Sequence, residues 1–277
     1  MINFYPVKTE DGTLSLFNTE VNDIYHSKIG AYTEALNKFV KPSGILEYVK
    51  TNNEVNILDV CFGLGYNSKV AITKIWEVNP NCKINLTGIE IDPYVLACSC
   101  VADFPEVNEL CKKDFISAIS SIINVDLFIK AFLKHVNFED KRIIAERSKI
   151  EFLHNIYYQS LSVREKIVQA AQNKSDLLDI IIYICDAEDI IKDLNPYYHY
   201  IFHDPFAPSK APNLWTIEFF SELYRLLNNN GNITTYSSAS IVKSGLIKAG
   251  FHIEKTQPIG RKSPGTIAYK TIRLYSS

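Results

Sequence analysis

Short apolar runs that end at a turn or beside an acidic residue recur along the chain. Asn56 to Val60 precedes a glycine-containing turn, and Ile84 to Ile91 ends next to acidic residues. Leu178 to Cys185 and Tyr198 to His203 are each followed by an aspartate. The last two runs are near-continuous and rich in β-branched or aromatic residues, which is typical of strands buried on both faces of a parallel sheet. We therefore predict four strands.

Helical spacing of apolar residues between these runs predicts the connecting elements. The expected helices lie at about Asn67 to Val78, from Pro93 onward, at about Trp215 to Leu227 and near Ser240 to Ala249. Further strands are expected from Gly231 to Tyr236 and on both sides of the segment from Gly260 to Gly265. This alternation predicts an α/β fold, a doubly wound and mostly parallel sheet whose ligands bind at the carboxyl ends of the strands.

The stretch from about Phe104 to Lys174 is far longer than the usual connection of about 2–6 residues. Helical spacing at Phe128, Phe132 and Val136 indicates that this insertion is mostly helical. Both a cap over the substrate cleft and simple structural padding fit this pattern.

The composition is that of one large globular core. The chain has 277 residues, of which 47% are hydrophobic, and no apolar run approaches the roughly 18 residues of a membrane span. We expect a cytoplasmic protein with no membrane partner. The six cysteines include no CxxC pair and should be reduced and mostly buried. No ligand cluster accompanies Cys98 and Cys100, so no metal site is expected.

The charge is distributed unevenly. The formal net charge is only -2, but residues 240–277 contain seven basic residues and one acid, which gives this segment +6 and leaves -8 for the rest of the chain. A basic carboxyl-terminal segment on an acidic body fits a localised surface for phosphates. An ordinary solvated basic face fits the charge equally well.

A glycine turn and two strand-end acids are candidates for binding a nucleoside cofactor. Gly63 and Gly65 lie between a strand and a helix, where backbone amides can approach a ligand closely. Ser68 stands where a dinucleotide fingerprint has its third glycine, which argues against NAD or FAD. Glu90, 27 residues after Gly63, can accept hydrogen bonds from ribose hydroxyls, or is an exposed strand-end acid. Asp186 fits a contact to an adenine amino group or an ordinary helix cap.

The segment from His203 to Thr216 is the most specific in the chain. It places Asp204 directly after a strand, in a loop stiffened by three prolines, with Phe206 and Trp215 nearby. An acid among aromatic side chains in a shaped loop indicates a substrate pocket. Aromatic residues that simply belong to the core are the alternative interpretation.

Motifs spread over the chain are shared with a known family. Asp59 to Asn67 matches an acidic-x-x-Phe-Gly-x-Gly-x-Asn loop, and Asp204 to Thr216 matches an Asp-x-Phe-x-Pro loop. The further matches are Asp23 to Glu34, Gly231 to Ser238, Val242 to Phe251 and Gly260 to Lys262. The sequence thereby resembles the bacterial tRNA 5-methylaminomethyl-2-thiouridine methyltransferases of the MnmC type. Cys61 and Pro205 depart from the pattern, because relatives often have glycine there, and the insertion has no recognised counterpart.

The resemblance implies a class I S-adenosylmethionine-dependent methyltransferase fold. It further implies methyl transfer to the amine of 5-aminomethyl-(2-thio)uridine at the wobble position of tRNA, a substrate that separate enzymes would supply. The chain ends at Ser277, so the flavin-dependent oxidase domain fused to some relatives, and with it FAD, is not expected. A methyltransferase acting on a small amine or a protein is the enzymatic alternative, and a non-catalytic RNA-binding scaffold is the other.

The resemblance and the residue pattern together assign expected roles. Asp204 is expected to be catalytic, by orienting the amine and accepting its proton. The residues expected to hold S-adenosylmethionine are Asp59, Gly63, Gly65, Asn67, Glu90 and Asp186. Those expected to contact tRNA are Phe206, Trp215 and Tyr236, which would stack on the base, and Arg261 and Lys262, which would hold phosphates. We expect residues 1–50 to pack over the cleft and residues 51–277 to form the methyltransferase domain, with the insertion at about 104–174.

Overall fold

Two β-sheets and the helices packed on them make up the computed structural model, which describes residues 4–137, 148–149, 151–153, 169–254 and 265–270. The strands are β1 Phe4–Lys8, β2 Leu14–Asn18, β3 Asp23–Ile24, β4 Glu54–Val60, β5 Lys83–Glu90, β6 Gln169–Lys174, β7 Leu178–Ile184, β8 Tyr198–His203, β9 Leu227–Thr235, β10 His252–Glu254 and β11 Thr266–Tyr269. The principal helices are α1 Ala31–Glu34, α2 Lys41–Ser43, α3 Ile45–Tyr48, α4 Tyr66–Val78, α5 Pro93–Ser99, α6 Glu109–Ser120, α7 Val125–His135, α8 Ala187–Ile190, α9 Ile217–Leu226 and α10 Ser240–Lys248.

The larger sheet has eight strands in the order β10-β11-β9-β8-β4-β5-β7-β6. Strands β4, β5, β7, β8 and β9 run parallel, whereas β6 and β11 are antiparallel to their neighbours. The register pairs Val60 with both Ile89 and His203, so the residues that follow β4, β5 and β8 meet at one edge. The α/β doubly wound, mostly parallel sheet predicted from the sequence is confirmed.

Side chains of the central strand alternate between two cores. On β4, Ile57 belongs to one buried cluster, and Leu58 and Val60 belong to a second. The first cluster includes residues of α4 to α7, and the second includes Phe220 of α9 and Leu246 of α10. Because both faces of the sheet are covered, both sets of alternating positions are apolar, which explains the near-continuous hydrophobic runs in the sequence.

The long insertion contains helices but ends in a strand. Helices α6 and α7 confirm the helical part, and Phe115, Phe128 and Phe132 are buried in the first core. Residues Gln169–Lys174 instead form β6, antiparallel to β7, so the insertion predicted to be mostly helical ends in an edge strand. Their sequence, QAAQNK, has no apolar alternation, and pairing with β7 at the sheet edge determines their conformation.

The amino-terminal residues form a separate antiparallel sheet of β1, β2 and β3. Phe4, Leu14 and Leu16 are buried in the same core cluster as Ile57 of the large sheet. The Leu14 N–H also donates to the Tyr66 hydroxyl at the start of α4, with a nitrogen–oxygen distance of 3.1 Å. The small sheet therefore shares its core with the rest of the chain.

A partly buried aspartate, Asp11, fixes the β1–β2 hairpin to the first helix. The Asp11 carboxylate accepts hydrogen bonds from the N–H and hydroxyl groups of both Thr13 and Thr33. These contacts join the hairpin turn to α1, which begins after Gly30. A side chain at Gly30 would have its Cβ 1.8 Å from the Asp11 carboxyl carbon, in a backbone conformation with φ +145°. Only glycine lets the two segments approach this closely.

Among the described residues, no single helix is long and apolar enough to cross a membrane. Helices α6 and α7 reach the required length and composition only as a pair, and they are bent by 108° relative to each other. Their apolar faces pack into the first core.

Candidate cofactor and substrate cleft

A cavity of about 680 Å³ opens where β4, β5, β7 and β8 end at their carboxyl termini. Its size falls within the roughly 300–1,000 Å³ of small-molecule sites. The floor contains Cys61, Glu90 and Asp186, and residues of the β8 loop form one wall. Residues Asn18 to Ser27 of the small sheet form the roof. The described part of the insertion contributes no lining residue, so α6 and α7 do not form the cap that was one of the two alternatives for this segment.

The loop after β4 is held in left-handed backbone conformations. Gly63 has φ 57° and Gly65 has φ 75°, and the non-glycine residue Cys61 has φ 63°. The Gly63 N–H donates to Glu90 Oε2 at 2.7 Å, which ties the loop to the end of β5. The positive φ of Cys61 is compatible with the glycine that the family resemblance led us to expect at this position, since L-residues adopt this region only at a cost.

Replacing Gly65 with alanine tests the packing of this loop. The new Cβ would lie 2.4 Å from the Phe62 ring, at φ +75°. Gly44 has the same φ of +75° but no atom within 4 Å of its hypothetical Cβ. Both substitutions should cost about 1–2 kcal/mol of backbone strain, and Gly65→Ala should cost about 1–3 kcal/mol more from overpacking. Urea denaturation of the two variants measures the difference, and equal losses would contradict the role of Phe62.

Glu90 is a buried carboxylate in the cavity floor, only 4% exposed. Besides the Gly63 N–H, it accepts the Asp92 N–H at Oε1, with a distance of 2.9 Å. Burial raises the pKa of Glu90 to about 7, and the two N–H groups limit that rise. Each carboxylate oxygen has a further lone pair, so the side chain can still accept hydrogen bonds from a ligand in the cavity. The exposed-acid alternative for Glu90 is thereby wrong.

Asp59 and Asp186 occupy different places around the loop. Asp59 is fully buried beneath it and accepts the Ser68 hydroxyl at Oδ2, whereas Oδ1 has no protein partner among the described residues. Burial raises the pKa of Asp59 to about 7. Asp186 lines the cavity and also caps α8, accepting the Glu188 N–H at 3.0 Å. The two interpretations offered for Asp186 are therefore compatible, because one carboxylate oxygen caps the helix and the residue still faces the cavity.

Asp204 follows β8 and lines the opposite side of the cavity. Its backbone N–H donates to the carbonyl oxygen of Val60, and its Oδ2 accepts Asn67 Nδ2 at 2.8 Å. Burial, and then the negative charge of Glu34, raise the pKa of Asp204 well above its usual range, and the Asn67 hydrogen bond opposes them. Asn67, predicted to hold the cofactor, therefore fixes the carboxylate on the substrate side, because its position in the first turn of α4 directs its amide toward β8.

Trp215 supports the β8 loop from behind. It is 8% exposed and does not line the cavity, and its Nε1 donates to the Phe206 carbonyl oxygen at 2.8 Å. Its ring packs edge-on against Tyr236, with 6.0 Å between ring centroids. The prediction that Trp215 stacks on a substrate base is not supported by this position, since the side chain belongs to the second core.

Phe206 and Tyr236 both line the cavity, and their stacking on a substrate base stays a prediction. The Tyr236 hydroxyl donates to the Pro205 carbonyl oxygen at 3.0 Å. The Phe206 ring meets Tyr25 of the roof in an edge-to-face contact, with 5.0 Å between centroids. Lys210 Nζ lies 2.7 Å from Asp23 Oδ2, which joins the same loop and roof a second time.

Two residues that line the cavity, Tyr25 of the roof and Glu34 of α1, were not predicted as site residues from the sequence. Neither follows a predicted strand or a glycine turn. The signal that marks them is the family motif from Asp23 to Glu34. Arg261 and Lys262, predicted to hold phosphates, lie outside the described residues.

Among the charged residues that line the cavity, acids outnumber bases. The acids are Glu20, Asp23, Glu34, Glu90, Asp92, Asp186, Glu188 and Asp204. Lys210 is the basic residue that accompanies them, and it is paired with Asp23, while burial lowers the pKa of the lining His26 to about 4. Such a lining favours cationic ligands over anionic ones.

Residues 148–271 match the family model described as S-adenosyl-L-methionine-dependent methyltransferase. The crystal structure of MNMC2 from Aquifex aeolicus superposes with a TM-score of 0.66 at 29% sequence identity, covering 98% of this chain and 71% of that one. The fold and the family model define a class I S-adenosyl-L-methionine-dependent methyltransferase. The similarity to the Aquifex MNMC2 structure confirms the resemblance to the MnmC type that the motifs indicate.

Two relatives align over nearly the whole chain. An uncharacterized protein of Methanocaldococcus jannaschii is 30% identical over 264 residues, covering 95% of this chain and 59% of that protein. The tRNA 5-methylaminomethyl-2-thiouridine biosynthesis bifunctional protein MnmC of Ralstonia nicotianae is 24% identical over 265 residues, covering 95% of this chain and 34% of that protein. The chain thus spans about a third to three fifths of the lengths of these relatives.

Proposed function

We propose that the protein transfers the methyl group of S-adenosylmethionine to the primary amine of 5-aminomethyl-(2-thio)uridine at the wobble position of a tRNA in the cytoplasm. One observation carries the proposal: the carboxylates of Glu90 and Asp204 line the same cavity from the ends of β5 and β8, the two parallel strands that flank β4. A nucleoside cofactor and an amine substrate can therefore be held side by side. The choice of tRNA and of the modified uridine as substrate is taken from the name of the Ralstonia relative. Separate enzymes would provide the aminomethyl group.

The residues around the β4 loop fit S-adenosylmethionine. Glu90 retains lone pairs for the two ribose hydroxyls, and Asp186 faces the cavity where it can meet an adenine amino group. Gly63 and Gly65 are not among the residues that line the cavity; their left-handed backbone conformations shape the loop, and the Gly63 N–H binds Glu90. Asp59 is fully buried beneath the loop and is not one of the residues that line the cavity, so it supports the loop through the Ser68 hydroxyl rather than contacting the cofactor directly.

S-adenosylmethionine, when bound, supplies a methyl group on a positively charged sulfur. The protein has to present an unprotonated amine to that methyl and to exclude water. Asp204 is placed to accept the ammonium proton, because its raised pKa makes its carboxylate a stronger base than a solvent-exposed aspartate. Asn67 fixes the carboxylate by its hydrogen bond to Oδ2. Holding the two reactants in line can supply several kcal/mol of the rate enhancement.

A wobble base has to leave the anticodon stack to reach this cavity. Phe206 and Tyr236 line the side next to Asp204, and both offer aromatic surface to a flipped base. Base stacking on an aromatic side chain is worth about 1–3 kcal/mol. Trp215 contributes indirectly, by holding the carbonyl of Phe206 from the core side.

The test of the proposed function is methylation of tRNA that carries 5-aminomethyluridine. The purified protein, S-adenosylmethionine and this tRNA are combined, and the digested nucleosides are identified by mass spectrometry; one added methyl on the aminomethyl group is expected. Methyl transfer to a free amine or a protein but not to this tRNA would favour the enzymatic alternative. Absence of S-adenosylmethionine binding by calorimetry would favour the non-catalytic scaffold.

The basic carboxyl-terminal segment is expected to hold tRNA phosphates. Within it, Lys270 donates to the Leu227 carbonyl oxygen at 2.7 Å and serves the fold. Replacing Arg261 and Lys262 together with alanine should weaken tRNA binding and flatten the slope of log K against log salt by about 0.7–0.9 for each phosphate that is no longer neutralised. Cofactor affinity should stay unchanged. The double variant Lys50→Ala with Lys174→Ala removes the same charge elsewhere and is the control. An unaltered salt slope in the Arg261 and Lys262 variant would mean that the basic segment is an ordinary solvated surface.

A further inference from the structure

Glu34 is a second carboxylate on the substrate side of the cavity. It is the last residue of α1, its side chain is 14% exposed, and it lines the cavity together with Asp204. Its negative charge acts on Asp204 more strongly than that of Asp59. The proposed reaction needs only one proton acceptor, so the role of this second acid requires its own explanation.

Both oxygens of Glu34 are held by fixed donors. Oε2 accepts the Ser27 N–H at 2.8 Å, and Oε1 accepts Lys38 Nζ at 2.5 Å. Lys38 in turn lies over the Tyr236 ring, 5.7 Å from its centroid. The carboxylate is therefore oriented by the roof on one side and by its own helix on the other, and each oxygen keeps a lone pair for a ligand.

We infer that Glu34 is the binding carboxylate for the substrate amine, which enters as an ammonium ion and is held between Glu34 and Asp204. This inference rests on the proposed methyl transfer to an amine and adds the charge state of the substrate and the residue that selects it. The charge of Lys38 balances that of Glu34. When Asp204 is ionised, Lys38, Glu34 and Asp204 together therefore carry one negative charge. One ammonium ion neutralises that charge.

The two carboxylates are suited to different tasks. The ion pair with Lys38 and the Ser27 N–H lower the pKa of Glu34 despite its burial, so Glu34 stays ionised and attracts a cation. The pKa of Asp204 is raised, mainly by burial, so this residue is the one that takes up a proton. Opposite shifts in a pair of neighbouring acids are the usual sign of a division between a binding or stabilising group and a proton-transfer group.

The chemical step is balanced with these two residues. The ammonium group gives one proton to Asp204 and becomes a neutral amine with a free electron pair. That pair forms the new nitrogen–carbon bond to the methyl group while the carbon–sulfur bond breaks, and its electrons remain on sulfur as a neutral thioether. The positive charge returns to the methylated nitrogen, where Glu34 again faces it.

Kinetics of Glu34→Gln and Asp204→Asn on the same RNA separate the two roles. Loss of a charge-assisted hydrogen bond corresponds to a factor of at least about 10 in binding. Glu34→Gln should raise KM by that factor and change kcat less than about 3-fold, whereas Asp204→Asn should mainly lower kcat. Glu34→Asp keeps the charge and should recover much of the affinity. Glu47→Gln, which breaks an exposed helical pair with Lys50 far from the cleft, is the matched control and should change neither constant.

Binding of ethylammonium chloride in the presence of S-adenosylhomocysteine gives a second, turnover-free measurement. The wild-type protein should bind ethylammonium at least about 10-fold more tightly than Glu34→Gln, and the neutral isostere propane should not compete. This result supports the inference even if the tRNA is not methylated, in which case only the proposed RNA substrate fails. Equal ethylammonium binding by wild type and Glu34→Gln, or a Glu34→Gln defect confined to kcat, would overturn the inference.

Discussion

Asparagine at position 204 is expected to abolish most methyl transfer and to leave S-adenosylmethionine affinity unchanged. The amide keeps the shape of the side chain and can still accept the Asn67 hydrogen bond, but it cannot take the ammonium proton. General-base assistance is commonly worth about 10²–10⁴-fold in rate. Single-turnover assays with aminomethyluridine tRNA measure the deficit directly. Higher pH should restore part of the rate, because a larger fraction of the amine is then already unprotonated.

Urea denaturation of Asp204→Asn shows whether a loss of activity comes from the chemistry or from a loss of folding. A carboxyl group whose pKa is raised in the folded state destabilises that state once the pH exceeds the unfolded pKa, and the loss grows until the folded pKa is reached. Asp204→Asn should therefore unfold at a higher urea concentration than wild type at neutral pH, and at the same concentration below about pH 3, where Asp204 is protonated in both states. A variant that turns over like wild type would reduce Asp204 to a residue that only shapes the loop.

Alanine at position 90 should weaken S-adenosylmethionine binding by roughly 10–150-fold. This factor corresponds to the about 1.5–3 kcal/mol of hydrogen bonds to a charged group. The substitution removes the acceptor proposed for the ribose hydroxyls and also frees the Gly63 N–H that Glu90 holds. Titration calorimetry measures the change.

Glu77→Ala is the matched control for this experiment. Glu77 is a half-exposed acid on α4 that pairs with Lys74, outside the cavity, and its loss should leave the dissociation constant unchanged. Unchanged affinity in a folded Glu90→Ala variant would place the cofactor elsewhere.

The sheet was predictable from the sequence because its central strands are buried on both faces. β4, β5, β7 and β8 each read as an apolar run followed by a turn or an acid, and their parallel order brings those acids to one edge. β6 was not predictable, since its polar residues carry no period and its conformation depends on pairing with β7. A local hydrophobic pattern indicates burial. An edge strand, which has one unpaired side, is less buried and therefore leaves a weaker pattern.

The acids at the strand ends of the site were predictable in the same way, whereas the roof and the side chains that hold the loops were not. Glu90 and Asp204 are strand-end acids, so the sequence places them in a cleft. Asn67 and Trp215 belong to the right loops, but which way a side chain points from a helix start or a loop depends on tertiary packing. Tyr25 reaches the cavity through the separate amino-terminal sheet, and no local period links that sheet to the strand ends.

The shared core of the amino-terminal sheet restricts how a nucleotide can reach the cleft. A roof whose Leu14 and Leu16 lie in the same buried cluster as the large sheet, and whose hairpin is pinned by Asp11, cannot swing open as a flap without exposing that core. The Lys210–Asp23 pair is partly exposed and sensitive to salt. Substrate and product should therefore enter and leave through movement of the β8 loop. The rate of their exchange should rise with ionic strength, provided that phosphate binding is already saturated.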